Sequence, residues 1–359
     1  MTTQWGASPR FLERGVETVQ AWDRLAAHLN DAGFHFDPIG DPPRQFAAGF
    51  GNLNYLVKVD GRDMVLRRPP MGDIPPGAND MKREHRILNV LWQAFPLAPR
   101  SFHYCEDHDV LGNHFLLMDY RPGATIGGQL PAELSGDPTI GENLTIMLVD
   151  VLVALHHVEP ASVGLGEFGR PEGFLGRAVT GWRKRLMIGA DDAPSDVALE
   201  VADWLEANQV PDGVPVLLHN DFKLDNILLE PATLEPVAVI DWDMGSRGDP
   251  LFDLGTLLSY WVEPNDPPAM QIIEQMPTAM SGFPRRRDVI ELYARRSGRD
   301  VSNFRFYRVL TQFKLAVVFL QIYAQYRRGT TTDERFGRFG PHIDGLFEFA
   351  RDIAHGRID

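Results

Sequence analysis

Residues 214–253 constrain the fold more than any other part of the chain. The segment VPVLLHNDFKLDNILLEPATLEPVAVIDWDMGSRGDPLFD carries two short apolar runs, NILLE and VAVID, flanked by loops dense in Asp and Asn. Runs of that length bounded by turn-forming residues read as strands. On either side the pattern is helical, at 141–157, about 173–188 and 195–208 before it, and at 251–262, 285–297, 302–328 and 341–355 after it. Leu144, Met147, Leu148, Val151, Leu152 and Leu155 recur at the spacing of a buried helix face. A polar, strand-bearing insert inside a helical region excludes a plain helix bundle. No internal repeat, heptad or low-complexity tract points to a solenoid or coiled coil.

The first third obeys a different rule. FAAGF, NYLVKV and DMVLRR, within 46–68, are β-rich, and Asp60-Gly61 separates the last two where a tight hairpin needs positive φ. Four prolines and two glycines in PPMGDIPPGAND, 69–80, exclude a helix or central strand there and leave a long loop or lid. MKREHRILNVLWQAF then aligns Ile87, Leu88, Val90 and Leu91 on one stripe, with Asp80 available as N-cap. Two more runs, 101–105 and 114–120, complete an antiparallel sheet, which Pro122-Gly123 ends. Upstream, Val16, Val19, Trp22, Leu25 and Leu29 predict an amphipathic helix within 12–30. The expected class is α+β in three consecutive parts. These are an N-terminal extension with its helix, 1–40, a small antiparallel-sheet lobe, 41–121, and a larger, mostly helical lobe, 122–359.

Charge narrows the function classes. Thirty-five Lys and Arg against 49 Asp and Glu give a net charge of −14, which disfavours a nucleic-acid binder that must neutralise phosphates. The single cysteine, Cys105, excludes an internal disulfide and permits a reducing compartment. The opening MTTQWGASPR lacks an apolar signal region, and no apolar run is long enough to span a bilayer. A cytoplasmic protein with no membrane partner is expected.

The chemistry-bearing residues concentrate in the insert. His219, Asn220, Asp221, Asn226 and Asp241 stand in loops or at the end of an apolar run, positions that suit oxygen ligands better than packing. Mg²⁺ takes hard oxygen donors, usually one or two carboxylates completed by phosphate oxygens. Asn226 and Asp241 fit that demand, and Asp221, five residues before Asn226, can address a hydroxyl. That division of labour is the one of the kinase catalytic loop H-x-D-x-x-x-x-N. In the first third, Gly49, Gly51 and Asn52 form a turn whose backbone N–H groups can meet phosphates.

His219, Asp221 and Asn226, followed by Ile240-Asp241-Trp242-Asp243 and Gly248-Asp249-Pro250-Leu251-Phe252-Asp253, resemble the aminoglycoside phosphotransferase and choline kinase-like superfamily over roughly 45–330. The resemblance implies a two-lobed protein-kinase-like fold, with ATP and Mg²⁺ as cofactors. It implies that Asp221 positions or deprotonates the acceptor hydroxyl, that Asn226 and Asp241 hold Mg²⁺, that His219 braces the loop and that Asp253 hydrogen-bonds its backbone. Asp243 stands where protein kinases have the glycine of D-F-G, and its part is open. A strand cation is expected to pair with a helix carboxylate and contact the nucleotide phosphates. VLRR supplies arginines instead of the usual lysine. Arg67 with Glu84 is the chosen pair, and Arg68 reads as a solvated charge beside the lid. Met118 and Tyr120 fall where the family's hinge meets adenine.

The run LRRPPMGDIPPGA, with YARRSGRD and FKLAVVFLQIYAQYRRG, resembles the kinase-like branch found fused to, or encoded beside, acyl-CoA dehydrogenases. That branch is associated with phosphorylating hydroxyacyl-CoA compounds, which implies a functional association with a dehydrogenase. No dehydrogenase stretch is read in these residues. Arginines at 285–287, 295, 296, 299, 327 and 328 suit an anionic acceptor as readily as they suit a solvated surface. The leading expectation is thus a small-molecule O-kinase whose partner is a hydroxyl acceptor, best a hydroxyacyl-CoA. An antibiotic kinase and an inactive nucleotide-binding scaffold are the alternatives. Oligomeric state is not legible. His103, Cys105, Asp107, His108 and His114 lack zinc spacing, and His156-His157 reads as a helix cap.

Overall fold

The computed structural model describes residues 5–6, 10–47, 51–71, 79–191, 193–330 and 334–358, without the side chain of Arg335. Helix α1 (Trp22–Asp31) precedes strands β1 (Arg44–Gln45), β2 (Leu53–Val59) and β3 (Arg62–Arg68). Helix α2 (Met81–Leu91), β4 (Ser101–Cys105), the short α3 (His108–Leu111) and β5 (Phe115–Asp119) follow. Next come α4 (Ile140–His156), α5 (Phe174–Gly189) and α6 (Asp196–Ala207). The insert supplies β6 (Val216–Leu218), β7 (Ile227–Leu229), β8 (Pro236–Val239) and β9 (Ser246–Gly248). The chain continues through α7 (Pro250–Ser259), α8 (Pro268–Gln271), α9 (Arg286–Ser297), α10 (Phe304–Arg327), α11 (Glu334–Gly337) and α12 (Ile343–Ala354).

Contacts group these elements into two compact units. The first comprises residues 1–125, 161–166 and 226–245, and the second 126–160, 167–225 and 246–359. The first is built on an antiparallel sheet of order β1-β2-β3-β5-β4. Asp60 and Gly61, both at positive φ, turn β2 into β3 as the sequence requires. Asp80 accepts from Arg83 N at 2.9 Å and starts α2. Leu25, Leu29, Tyr55, Leu66, Phe115 and Leu117 fill the core between α1 and the sheet, each worth about 1.5–3 kcal/mol of burial for the larger apolar side chains. The β7–β8 ribbon belongs to this unit and is tied to it by Val239 N donating to Leu97 O at 2.8 Å.

The N-terminal helix is shorter than its apolar spacing predicts. Val16 and Val19 precede it and are exposed. The segment before α1 is drawn into extended contacts instead. Leu12 N donates to Gln45 O, and Thr18 N to Gln45 Oε1 at 2.7 Å. Of FAAGF, Phe46 makes a bridge with Phe11 while β1 lies just upstream, and residues 48–50 lie outside the described residues, as do 72–78 of the loop.

The second unit is helical around one small antiparallel pair, β6 with β9. Helix α10 runs through it, packing on α5, α7 and α12 with Val309, Leu310, Phe313 and Val317 buried. Helix α7 opens with Asp249 as N-cap and Pro250 in its first turn, and this fixes Asp253 one turn in. No helix among the described residues is long and apolar enough to cross a membrane.

Candidate active site

Each unit carries one part of the chemistry. In the first, the β7–β8 ladder pairs Ile227 with Val239, and Ile240 N donates to Asn226 O at 2.9 Å. Asn226 and Asp241 therefore stand at neighbouring ends of one ribbon. Asp241 adopts φ +69°, a left-handed conformation that Asp tolerates better than most residues and that turns the chain sharply after β8.

Arg67 reaches this corner from β3. Its Nε donates to Glu84 Oε2 at 2.8 Å, one Nη donates to Asn54 Oδ1 at 3.3 Å, and the other pairs with Asp241 Oδ1. Glu84, fully buried on α2, also accepts from Trp242 N at 3.2 Å, so one carboxylate ties α2, β3 and the DWD turn together. Its partnership with Arg67 is a buried pair, not a helix-surface one. The Arg67–Asp241 contact is one that the sequence does not announce. Arg68 departs from expectation outright. It is buried, not solvated, because it points to the opposite face of β3 and donates to Gln20 Oε1 and Leu111 O, both at 2.6 Å.

Asp243 is buried and accepts from Asn52 Nδ2 at 3.4 Å, while Arg83 donates to its backbone carbonyl at 2.9 Å. Asn79 in turn donates to Asn52 Oδ1 and Gly51 O, holding the turn to the end of the loop. Gly49 lies outside the described residues. Met118 is buried on β5 opposite Val65, and Tyr120 stacks on Phe46 with ring centroids 6.2 Å apart. Neither belongs to the Arg67 cluster, since β5 meets Arg67 through Leu116.

The electrostatics of this corner are unbalanced. Burial works against the Arg67 charge, but Asp241, Glu84 and Asp243 outweigh it and hold the guanidinium more firmly ionised than usual. The carboxylates bear the opposite strain. Burial, more than Arg67 can offset, pushes Glu84 up. Asp243 is pushed up to about 7 by burial, then by Asp241 and Glu84.

In the second unit, β6 delivers His219, Asn220 and Asp221. Asp253 accepts from His219 N through Oδ2 and from Asn220 N through Oδ1, each at 2.7 Å, and clamps the loop backbone from α7. His219 is fully buried, and its Nδ1 accepts from Asp221 N at 3.3 Å. Asp221 Oδ1 accepts from Tyr260 Oη at 3.0 Å, and Lys223 Nζ stands 3.6 Å from Oδ2. Burial, then Asp221, drive the Tyr260 hydroxyl well above its ordinary value, so it serves as a donor. His156 is a brace, not a cap. Its ring is buried between Tyr293 Oη, 2.8 Å from Nδ1, and Asp253 Oδ2, 3.4 Å from Nε2. Burial keeps it neutral, so Nδ1 accepts and Nε2–H donates. Burial alone would raise Asp253, but the bonds from His156 and His219 prevail and hold it below the usual range.

Lys223 could have been found inside the motif, two residues after Asp221. Tyr260 and His156 carry no local signal. Lys314, buried in α10 against this loop, is flagged by a lone cation within the apolar run FKLAVVFL.

A model of the phosphotransferase enzyme family matches residues 43–289. The chain belongs to that family. It is also 31% identical over 319 residues to acyl-CoA dehydrogenase family member 11 of Pongo abelii, covering 85% of its own length and 39% of the relative's. Against member 10 of Mus musculus it is 28% identical, covering 29% of that protein. It thus spans well under half the length of these relatives. Among solved structures, a Ralstonia eutropha protein provisionally described as an aminoglycoside phosphotransferase superposes with a TM-score of 0.75 at 23% identity, over 94% of this chain and 99% of that one. A choline/ethanolamine kinase family protein from Mesorhizobium loti gives 0.54 at 17% identity, over 93% and 94%. These likenesses establish the kinase-like α+β fold.

Several arginines of the clusters are engaged within the chain's own structure. Arg286 is buried, with Nε 2.9 Å from Trp261 O and Nη1 3.0 Å from Asp266 Oδ1. Arg296 pairs with Asp150 at 3.2 Å, Arg299 donates to His156 O at 3.2 Å, and Arg328 pairs with Asp191. Arg286 and Arg299 thereby tie elements of this unit together, while the Arg296 and Arg328 pairs lie at the surface.

Proposed function

We propose that this chain transfers the γ-phosphoryl group of ATP, with Mg²⁺, to a hydroxyl of a small molecule. The observation that carries the reading is the Asp221 loop. A partly exposed carboxylate follows β6, the backbone just before it is clamped by Asp253 at His219 and Asn220, and Tyr260 and Lys223 address its two oxygens. Phosphoryl transfer asks mainly for such positioning and for charge neutralisation.

The donor set of the first unit fits Mg²⁺. Asn226 and Asp241 offer oxygen at adjacent positions, and three acidic side chains face one guanidinium, a surplus that a divalent cation offsets. Among the described residues no three His, Cys, Asp or Glu gather as a metal site, and phosphate and water oxygens would complete the coordination. Asn226 and Asp241 would hold the ion, which when bound supplies neutralisation of the phosphate charge. Asp221 orients the acceptor hydroxyl and takes its proton. The acceptor oxygen bonds to the γ-phosphorus as the bond to the bridging oxygen breaks, and ADP leaves. Arg67, anchored by Glu84, faces the α/β-phosphates.

A hydroxyacyl-CoA is the favoured acceptor, supported by the likeness to acyl-CoA dehydrogenase family members over most of this chain. The same likeness supports a functional association with a dehydrogenase. An antibiotic acceptor is favoured instead by the fold shared with aminoglycoside and macrolide phosphotransferases. A coupled assay of ADP release over hydroxyacyl-CoAs, other hydroxylated metabolites and aminoglycosides decides between them. Stimulation by one class, lost in Asp221→Ala with nucleotide affinity retained, is the expected result. Wild-type turnover by Asp221→Ala would overturn the assignment.

A further inference from the structure

Asn220, the residue before Asp221, adopts φ +65°, a conformation that a side chain disfavours and that must be held in place. Its polar groups are gripped in three directions. The N–H donates to Asp253 Oδ1 at 2.7 Å, the side-chain amide donates to Ser246 Oγ at 2.8 Å, and the carbonyl accepts from Lys314 Nζ at 2.5 Å. Lys314 comes from the middle of α10, is only 6% exposed, and also lies 3.3 Å from Thr256 Oγ1 and 5.3 Å from the centre of the Phe252 ring.

Burying an ammonium is costly, and the cost is met only by what the charge does there. At this point in α10 an apolar residue would pack between Phe313 and Leu315 without it. The ammonium contacts the carbonyl of the one residue whose backbone sets the direction of Asp221. A hydroxyl and an aromatic face also lie against it, and burial works against its ionised form while the charges of Asp221 and Asp253 favour it.

We propose that Lys314 is a positioning residue for phosphoryl transfer, fixing the aim of Asp221 by holding the carbonyl of Asn220. This rests on the reading of Asp221 given above. The clamp reaches the loop from a helix nearly a hundred residues downstream, so it is separate from the Asp253 contacts at the N–H groups.

The test compares wild type with Lys314→Met and Lys314→Ala. Loss of aim costs kcat about 100-fold and leaves the nucleotide KM unchanged, and the amides of 219–222 exchange hydrogen faster. Ethylammonium in solution restores part of the kcat of Lys314→Ala and none of that of Asp221→Ala. A folded Lys314→Met with wild-type kcat and unchanged exchange overturns the proposal, as does a fall in Tm with no other change. If the wild-type chain turns over no acceptor, the phosphotransferase reading fails by itself. Faster exchange at 219–222 in Lys314→Met then still supports the clamp, and unchanged exchange refutes it.

Discussion

The two units treat their carboxylates in opposite ways. Around Asp243 the fold gathers Glu84 and Asp241 with Arg67 as the shared cation, and leaves the group short of positive charge, so Asp243 is pushed up to about 7. Around Asp253 it supplies two backbone N–H groups and a neutral imidazole, and that carboxyl sits below its ordinary range although it is fully buried. Burial has the same sign in both places. What differs is whether the protein provides the compensating donors itself. The Asp253 network is complete without a ligand and sets geometry. The Asp243 corner is left short of positive charge, which on the proposed reading a cation arriving with a nucleotide would offset.

The sharpest way to break this contrast is to remove the open end of the incomplete corner. On the proposed reading Asp241→Ala is expected to lower turnover by about 10³-fold or more, since it would remove a metal ligand and its charge stabilisation. It should also abolish the rise in Tm that Mg²⁺ adds to ADP, read by calorimetry. A variant that keeps the Mg²⁺-dependent rise places the cation elsewhere. At the complete network the effect shifts from ligand to fold. Asp253→Ala leaves the N–H groups of His219 and Asn220 buried without their acceptor, and is expected to cost about 4 kcal/mol in urea unfolding. A loss below about 1 kcal/mol would mean that the loop is held by other contacts.

Arg286→Met tests whether a buried arginine of the second unit serves the fold or a substrate. The change strands Asp266 and is expected to cost about 3 kcal/mol of stability. The acceptor KM should stay unchanged once an acceptor is known, and a raised KM with stability intact would support an anion site at Arg286.

Different physical rules made parts of this molecule legible in sequence. The hairpin at Asp60-Gly61, the cap at Asp80 and the main helices follow from local chemistry, and local chemistry is written locally. The family motif likewise marks Asp221, Asn226, Asp241 and Asp253. Whatever depends on a remote partner was hidden. Arg67 and Arg68 are adjacent and identical in type, and only the face of β3 on which each falls sends one to Glu84 and the other to Gln20. The arginines near 286–299 looked like free charge because Asp266 and Asp150, which neutralise two of them, lie up to well over a hundred residues away. His156 read as a helix cap because Asp253 and Tyr293 meet it only in the folded chain.

His156 also yields the smallest effect, one whose sign separates a completed network from an unfinished one. Burial lowers its proton affinity below the ordinary 6.5, against the pull of Asp253 and Asp249 and with some help from Arg299. On acidification the unfolded chain therefore takes up this proton before the folded chain does. The stability that neutral His156 preserves is whole above 6.5 and is lost as pH falls below that value. The Asp253 contribution has a separate window. Its folded value lies under the ordinary 3.8, so its stabilisation persists until the pH falls through that lower range. Urea midpoints followed from about pH 8 to about pH 5.5, across the imidazole range, should decline in wild type and decline less in His156→Gln. Glutamine can keep both hydrogen bonds but binds no proton in this range. A wild type that declines less than His156→Gln would instead mean that His156 is protonated in the folded chain. The Asp253 network would then hold a buried ion pair rather than a carboxylate satisfied by neutral donors, and its contrast with the Asp243 corner would be one of partner charge.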